Sequence, residues 1–143
     1  MRHLVPMQPH LVLTLLYFLI TRDLVQCLLP DDDVKTLNDF VSSVSFKKNR
    51  TPLTSSVCSD EDWRQHISCE TNLTSNTSIV TGLNFTGQHL SGTLPPSLAN
   101  LRHLMSFKLS DNSLTSSIPA EYAQWGSSIV SFWVHVNSLQ GTL

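Results

Sequence analysis

The residues best suited to chemistry are two cysteines, a histidine between them and a set of asparagines. Cys58 and Cys69 flank Trp63 and His66. In an oxidising compartment such a pair closes a disulfide. The rival reading makes His66 a third ligand of a metal ion, but a structural zinc takes about four ligands and these three are too few. The disulfide is therefore the expectation. In the chain-entropy model it contributes about 2–4 kcal/mol. No cofactor is expected. Asn49, Asn72, Asn76 and Asn84 each begin an Asn-x-Ser/Thr sequon, the acceptor for an N-linked glycan in an exported chain. Asn49 is the weakest acceptor because Pro52 follows its Thr51, and Asn72 and Asn76 are close enough together that joint occupancy is not expected.

These groups belong to a weakly charged chain. Of its 143 residues 14% are charged, and the formal net charge is -2. No basic face is available to neutralise phosphates, so nucleic acid is not an expected partner. The one basic group, Lys47, Lys48 and Arg50, reads as a solvated helix end. The other histidines show no paired spacing. At the N-terminus, Arg2 and His3 precede the apolar run Leu11–Ile20, too short for a bilayer but the length of a signal-peptide core. Val25 and Cys27 occupy the small-residue positions of a cleavage site, which makes 1–27 a signal peptide and starts the mature chain near Leu28. An uncleaved anchor is the alternative. No second apolar stretch follows, so the cleaved chain has no expected membrane span.

The elements that position these residues follow in order. Val34, Leu37, Val41 and Val44 recur at helical spacing, which predicts an amphipathic helix over about Asp32–Phe46. Asp31–Asp33 suit its start, and Lys47 and Lys48 its end. Residues 49–78 read as polar and irregular. From Ile79 a unit recurs: LNFTGQHLSGTLP at 83–95, FKLSDNSLTSSIP at 107–119 and FWVHVNSLQGTL at 132–143, with shifts of 24 and 25. Such a period marks a solenoid, because one coil cannot bury its apolar side alone while stacked coils can. Leu83 and Phe85 alternate along a strand and point inward. Gln88, Asn112 and Asn137 fall where the chain leaves the strand, and their amides are expected to satisfy backbone groups of neighbouring coils. Gly92 and Gly141 relieve a tight bend, from which Ser116 departs. Pro95 and Pro119 end the paired segments.

The repeat L-x-G-x-I/L-P resembles the plant-specific class of leucine-rich repeats. The preceding signal, helix and two cysteines around a tryptophan are similar to the N-terminal cap of plant leucine-rich-repeat receptor-like Ser/Thr kinases. Leu29–Leu37 (LPDDDVKTL) and Gly87–Leu98 (GQHLSGTLPPSL) resemble the subfamily that carries a malectin-like domain, although the cap here is shorter and has fewer cysteines. The resemblance covers about Leu28 to Leu143. It implies an α/β leucine-rich-repeat solenoid: signal at 1–27, helical disulfide cap at 28–78, and two full repeats with a partial third at 79–143. It also implies the ectodomain of a membrane-anchored receptor. The chain carries no Gly-rich loop, H-R-D or D-F-G, so it is expected to be non-catalytic.

In a solenoid the outward strand residues form a face that binds partners. The alternation assigns Asn84 and Thr86, then Ser106, Lys108 and Ser110, then Ser131, Trp133 and His135, with Trp133 the best single anchor. A glycan on Asn84 would partly obstruct that face. The expected partner is a peptide, a wall glycan or another ectodomain, met outside the cell. The alternatives are a secreted inhibitor or decoy, or a truncated product without independent function. Because the third unit stops at Leu143, Leu139 and Leu143 are expected at an open edge, where the chain would be marginally folded or self-associate.

Overall fold

Three aspartates follow Pro30, and a helix begins at the first of them. The computed structural model describes residues 27–47 and 50–141. The expectations for the signal peptide up to residue 26, for Asn49 and for Leu143 lie outside these described residues. Helix α1 spans Asp31–Ser43 and buries Thr36, Leu37 and Phe40. None of its aspartates caps it through a side-chain hydrogen bond. They act by charge alone at the positive end of the helix.

α1 ends three residues earlier than its apolar spacing suggests. The hydroxyls of Ser42 and Ser43 donate back to the carbonyls of Asn38 and Asp39 at 2.8 and 2.7 Å. Such back-bonding weakens a helix. Val44 then turns extended. Val44–Ser45 form strand β1, antiparallel to Ser91 and Gly92. Gly92, at φ 115°, is required here because a Cβ would overlap the carbonyl oxygen of Ser43. Lys47 lies beyond this strand and is not at the helix end.

The segment after Arg50 is more ordered than its polarity suggests. The Asn38 side chain accepts from Leu53 N at 2.8 Å and donates to Leu53 O at 3.0 Å, which ties the segment to α1. A 3-10 turn follows at Val57–Ser59, then strands β2 (Ile67–Asn72) and β3 (Thr77–Asn84), paired as an antiparallel hairpin. The repeating part thus grows out of the second strand of a hairpin, which starts at Thr77. A register shift between Ser68 and Cys69 leaves Thr81 without a Cα partner. That one-residue bulge allows both Val80 and Leu83 to face the core.

Beyond β3 the chain alternates between two sheets. β4 (Ser91–Thr93) and β6 (Ser113–Thr115) extend β1 into a three-stranded sheet. β5 (Ser106–Lys108) and β7 (Ser131–Trp133) lie parallel to β3 and complete the four-stranded order β2-β3-β5-β7. Pro95 and Pro119 each precede a 3-10 segment, Pro96–Asn100 and Ala120–Ser128, which returns the chain to the larger sheet. Between the sheets lie Leu83, Phe85, Leu90, Leu98, Phe107, Leu109 and Leu114, each almost wholly buried.

Asn112 joins successive coils. Its Oδ1 accepts from Leu90 N at 2.9 Å, and its Nδ2 donates to Phe85 O, Leu109 O and Ser110 O. Asn137 repeats the arrangement with Leu114 N and Leu109 O. Gln88 does not: its amide reaches only Thr86 O, two residues back, at 3.4 Å. Its side chain is one methylene longer, and only the hairpin and α1 precede its coil. Ser116 takes φ 73°, beside 115° at Gly92 and 117° at Gly141. The same left-handed bend is therefore kept there without a glycine.

Tyr122 gives the fold a pH dependence. Its hydroxyl donates to Pro95 O at 3.0 Å. Burial pushes its phenol well above the ordinary value, and the Glu121 carboxylate adds to this. The unfolded phenol ionises near pH ~10. The stabilisation is intact below that pH and is lost as pH rises above it, because only the unfolded chain releases the proton. Urea titrations at pH 8 and pH 11 should show a marked drop for the native chain and a smaller one for Tyr122→Phe. Equal drops would remove Tyr122 as the cause.

Candidate recognition face

The register of the larger sheet sets which side chains meet on its outer side. Ser68, Gly82, Ser106 and Ser131 pair across it as one row of small residues. A Cβ on Gly82 would lie 3.2 Å from that of Ser68 and 3.6 Å from that of Ser106, which shows how closely this row packs. The next row is Asn84, Lys108 and Trp133. Lys108 Nζ sits 4.5 Å from the centroid of the Trp133 ring. Contacts of this kind contribute about 0.5–1 kcal/mol at exposed sites. Trp133 nevertheless stays 51% exposed. The row thus offers a large aromatic surface held in place by a cation, beside a low floor.

Thr86 and Asn84 are exposed, and Asn84 Oδ1 accepts from Thr86 N at 3.3 Å. Ser106 and Ser131 are half-buried. His135 is exposed. Ser110 departs from the expectation because it is only 1% exposed. Its carbonyl accepts from Gly87 N and Asn112 Nδ2, and its Oγ lies 3.0 Å from His135 Nδ1. The chain already bends towards the ladder at Ser110, so strand alternation no longer applies there.

Cys58 and Cys69 are bonded to each other, with Cα atoms 5.8 Å apart. The bridge ties the 3-10 turn to β2. His66 has other work. The carbonyl of Asn84 accepts from its Nδ1 at 3.1 Å, which leaves Nε2 to accept from Arg50 Nη2 at 3.3 Å. Its ring stacks on Phe85 with centroids 4.9 Å apart. Among the described residues no cluster of three or more His, Cys, Asp or Glu is placed to hold a metal ion. Of the sequons, Asn72 and Asn76 lie at the tip of the β2–β3 hairpin, where Asn72 Oδ1 accepts from Thr74 N. Asn84 lies on the outer face.

Arg50 is the polar residue whose placement the sequence did not reveal. Its guanidinium lies 5.2 Å from the ring centroid of Phe46 and 4.8 Å from that of Trp63. The signal was present in the two flanking aromatics, but the basic run Lys47–Arg50 reads as a helix end until the helix is seen to stop at Ser43.

No family model matches the chain, and no curated protein matches it. Solved structures do. A chain in the BIR3–SERK2 complex from Arabidopsis thaliana is 29% identical with a TM-score of 0.61, covering 78% of this chain and 59% of that one. The fold is a leucine-rich repeat. The BIR2 ectodomain from Arabidopsis thaliana is 26% identical with a TM-score of 0.58, over 79% of this chain and 58% of that one. The leucine-rich-repeat ectodomain of the receptor kinase SOBIR1, from the same plant, shares the fold at 20% identity and a TM-score of 0.62. This leucine-rich-repeat chain spans less than two thirds of the length of those ectodomains. Among its described residues no helix is long and apolar enough to cross a membrane.

Proposed function

We propose that the chain is an extracellular recognition segment of a leucine-rich-repeat receptor, without catalytic activity of its own. In this reading 1–27 is the signal peptide and 28–78 the cap. Residues 79–143 hold two repeats and part of a third. The observation that carries the proposal is the Lys108–Trp133 pair, an exposed tryptophan held by a cation on the outer face of the larger sheet. Tryptophan is enriched where binding energy concentrates. Another ectodomain is the favoured partner. Support comes from the similarity to a chain solved in a complex of two proteins, and from the exposure of Trp133 on the outer face of the sheet.

The test is capture of soluble ectodomains by the immobilised chain, native and Trp133→Ala. The variant is expected to weaken the selected partner at least tenfold, about 1.4 kcal/mol. Unchanged affinity would remove Trp133 as an anchor. Selection of free peptides or wall glycans in place of ectodomains would correct the partner class.

A further inference from the structure

A second surface shares no lining residue with the row of Asn84, Lys108 and Trp133. Phe46, Lys47 and Arg50 form one wall of an open groove, and the turn Gly87–Gln88–His89 forms the other, enclosing about 260 Å³. Arg50 is anchored on its inner side by Phe46, Trp63 and His66, as described above. A guanidinium has five N–H donors. Those of Arg50 reach His66 Nε2 and, at a long 3.5 Å, the backbone oxygen of Asp62. The sole ion pair among the described residues is Arg64–Glu61, so no carboxylate of those residues lies within 4.0 Å of Arg50. Lys47 and His89 are exposed at the rim. The acidic residues nearest in sequence, Asp39, Asp60, Glu61 and Asp62, are absent from the lining.

We propose that this groove binds a carboxylate of a protein partner, through Arg50 with Lys47 and His89 at the rim. The chemistry fits in three ways. A stacked guanidinium is pre-oriented, so little rotamer freedom is lost on pairing. Its planar fork matches a carboxylate with two parallel hydrogen bonds. The volume falls below the roughly 300–1,000 Å³ of small-molecule sites, which suits one acidic side chain or a chain terminus rather than a whole ligand. The groove has no residue in common with the Trp133 row, so it can fail while the recognition face stands.

Nuclear magnetic resonance of the full chain tests this, following the indole N–H of Trp63 and the ring signals of His66 and His89. Three tripeptides are titrated: acetyl-Gly-Glu-Gly amide, acetyl-Gly-Gln-Gly with a free terminus, and acetyl-Gly-Gln-Gly amide. Saturable shifts are expected with one or both of the first two, and their relative strength identifies side chain or terminus as the source. The third should give none. Arg50→Gln should weaken binding at least fivefold, and Trp133→Ala should leave it unchanged. Should Arg50→Gln fail to fold, the exposed pair Lys47→Ala and His89→Ala should weaken it at least twofold. Equal shifts with the neutral peptide, no saturable shift, or binding indifferent to these substitutions would overturn the proposal.

Discussion

Asn112→Ala is expected to lower the unfolding free energy by about 3 kcal/mol, read from urea denaturation. The side chain is half-buried, but its four partners are backbone groups of two adjacent coils. Alanine would leave Leu90 N and Phe85 O without this partner, and a buried unsatisfied group costs about 1–3 kcal/mol. Gln88→Ala is the internal control, because Gln88 bonds only to its own turn. It should stay within about 0.5 kcal/mol of the native chain, as a surface change does. Equal effects at the two positions would mean that the asparagine ladder does not hold the coils together.

Phe85→Ala is expected to cost about 3–5 kcal/mol, the range for removing a buried aromatic ring. Phe85 is 1% exposed and stands where the hairpin, α1 and the first coil meet. It contacts Phe40 at 5.4 Å, Phe46 at 5.8 Å, Trp63 at 6.4 Å and His66 at 4.9 Å between centroids. Its loss would also free His66 and, through it, Arg50. The measurable signature is a lower denaturation midpoint together with a red-shifted Trp63 emission. A variant as stable as the native chain would show that α1 and the repeats do not share one core.

The parts of this fold legible in the sequence are those fixed by a periodic apolar pattern. Leu83, Phe85 and Leu90 recur as Phe107, Leu109 and Leu114, and all six are buried between the sheets. The disulfide was legible because, of three cysteines, Cys27 falls in the expected signal segment and leaves only Cys58 and Cys69 to pair. The β2–β3 hairpin was not, since its outer half is exposed from Glu70 to Thr77, is polar apart from Leu73, and carries no alternation. Its strands form because backbone pairing to an existing sheet does not require apolar side chains on both faces. β1 was hidden for another reason: it exists because Gly92 lets two backbones approach, a tertiary fact. On the candidate face, alternation placed Asn84, Lys108 and Trp133 in one row. It misplaced Ser110, one residue beyond the point where strand geometry ends.

In the proposed function the outer face of the larger sheet is where this chain meets its partner. The most direct measurement compares the affinity of the selected ectodomain for Trp133→Ala with that for Thr93→Ala, an exposed change on the other sheet. At least a tenfold loss is expected for the first and less than a twofold change for the second. A loss at Thr93 with none at Trp133 would contradict it.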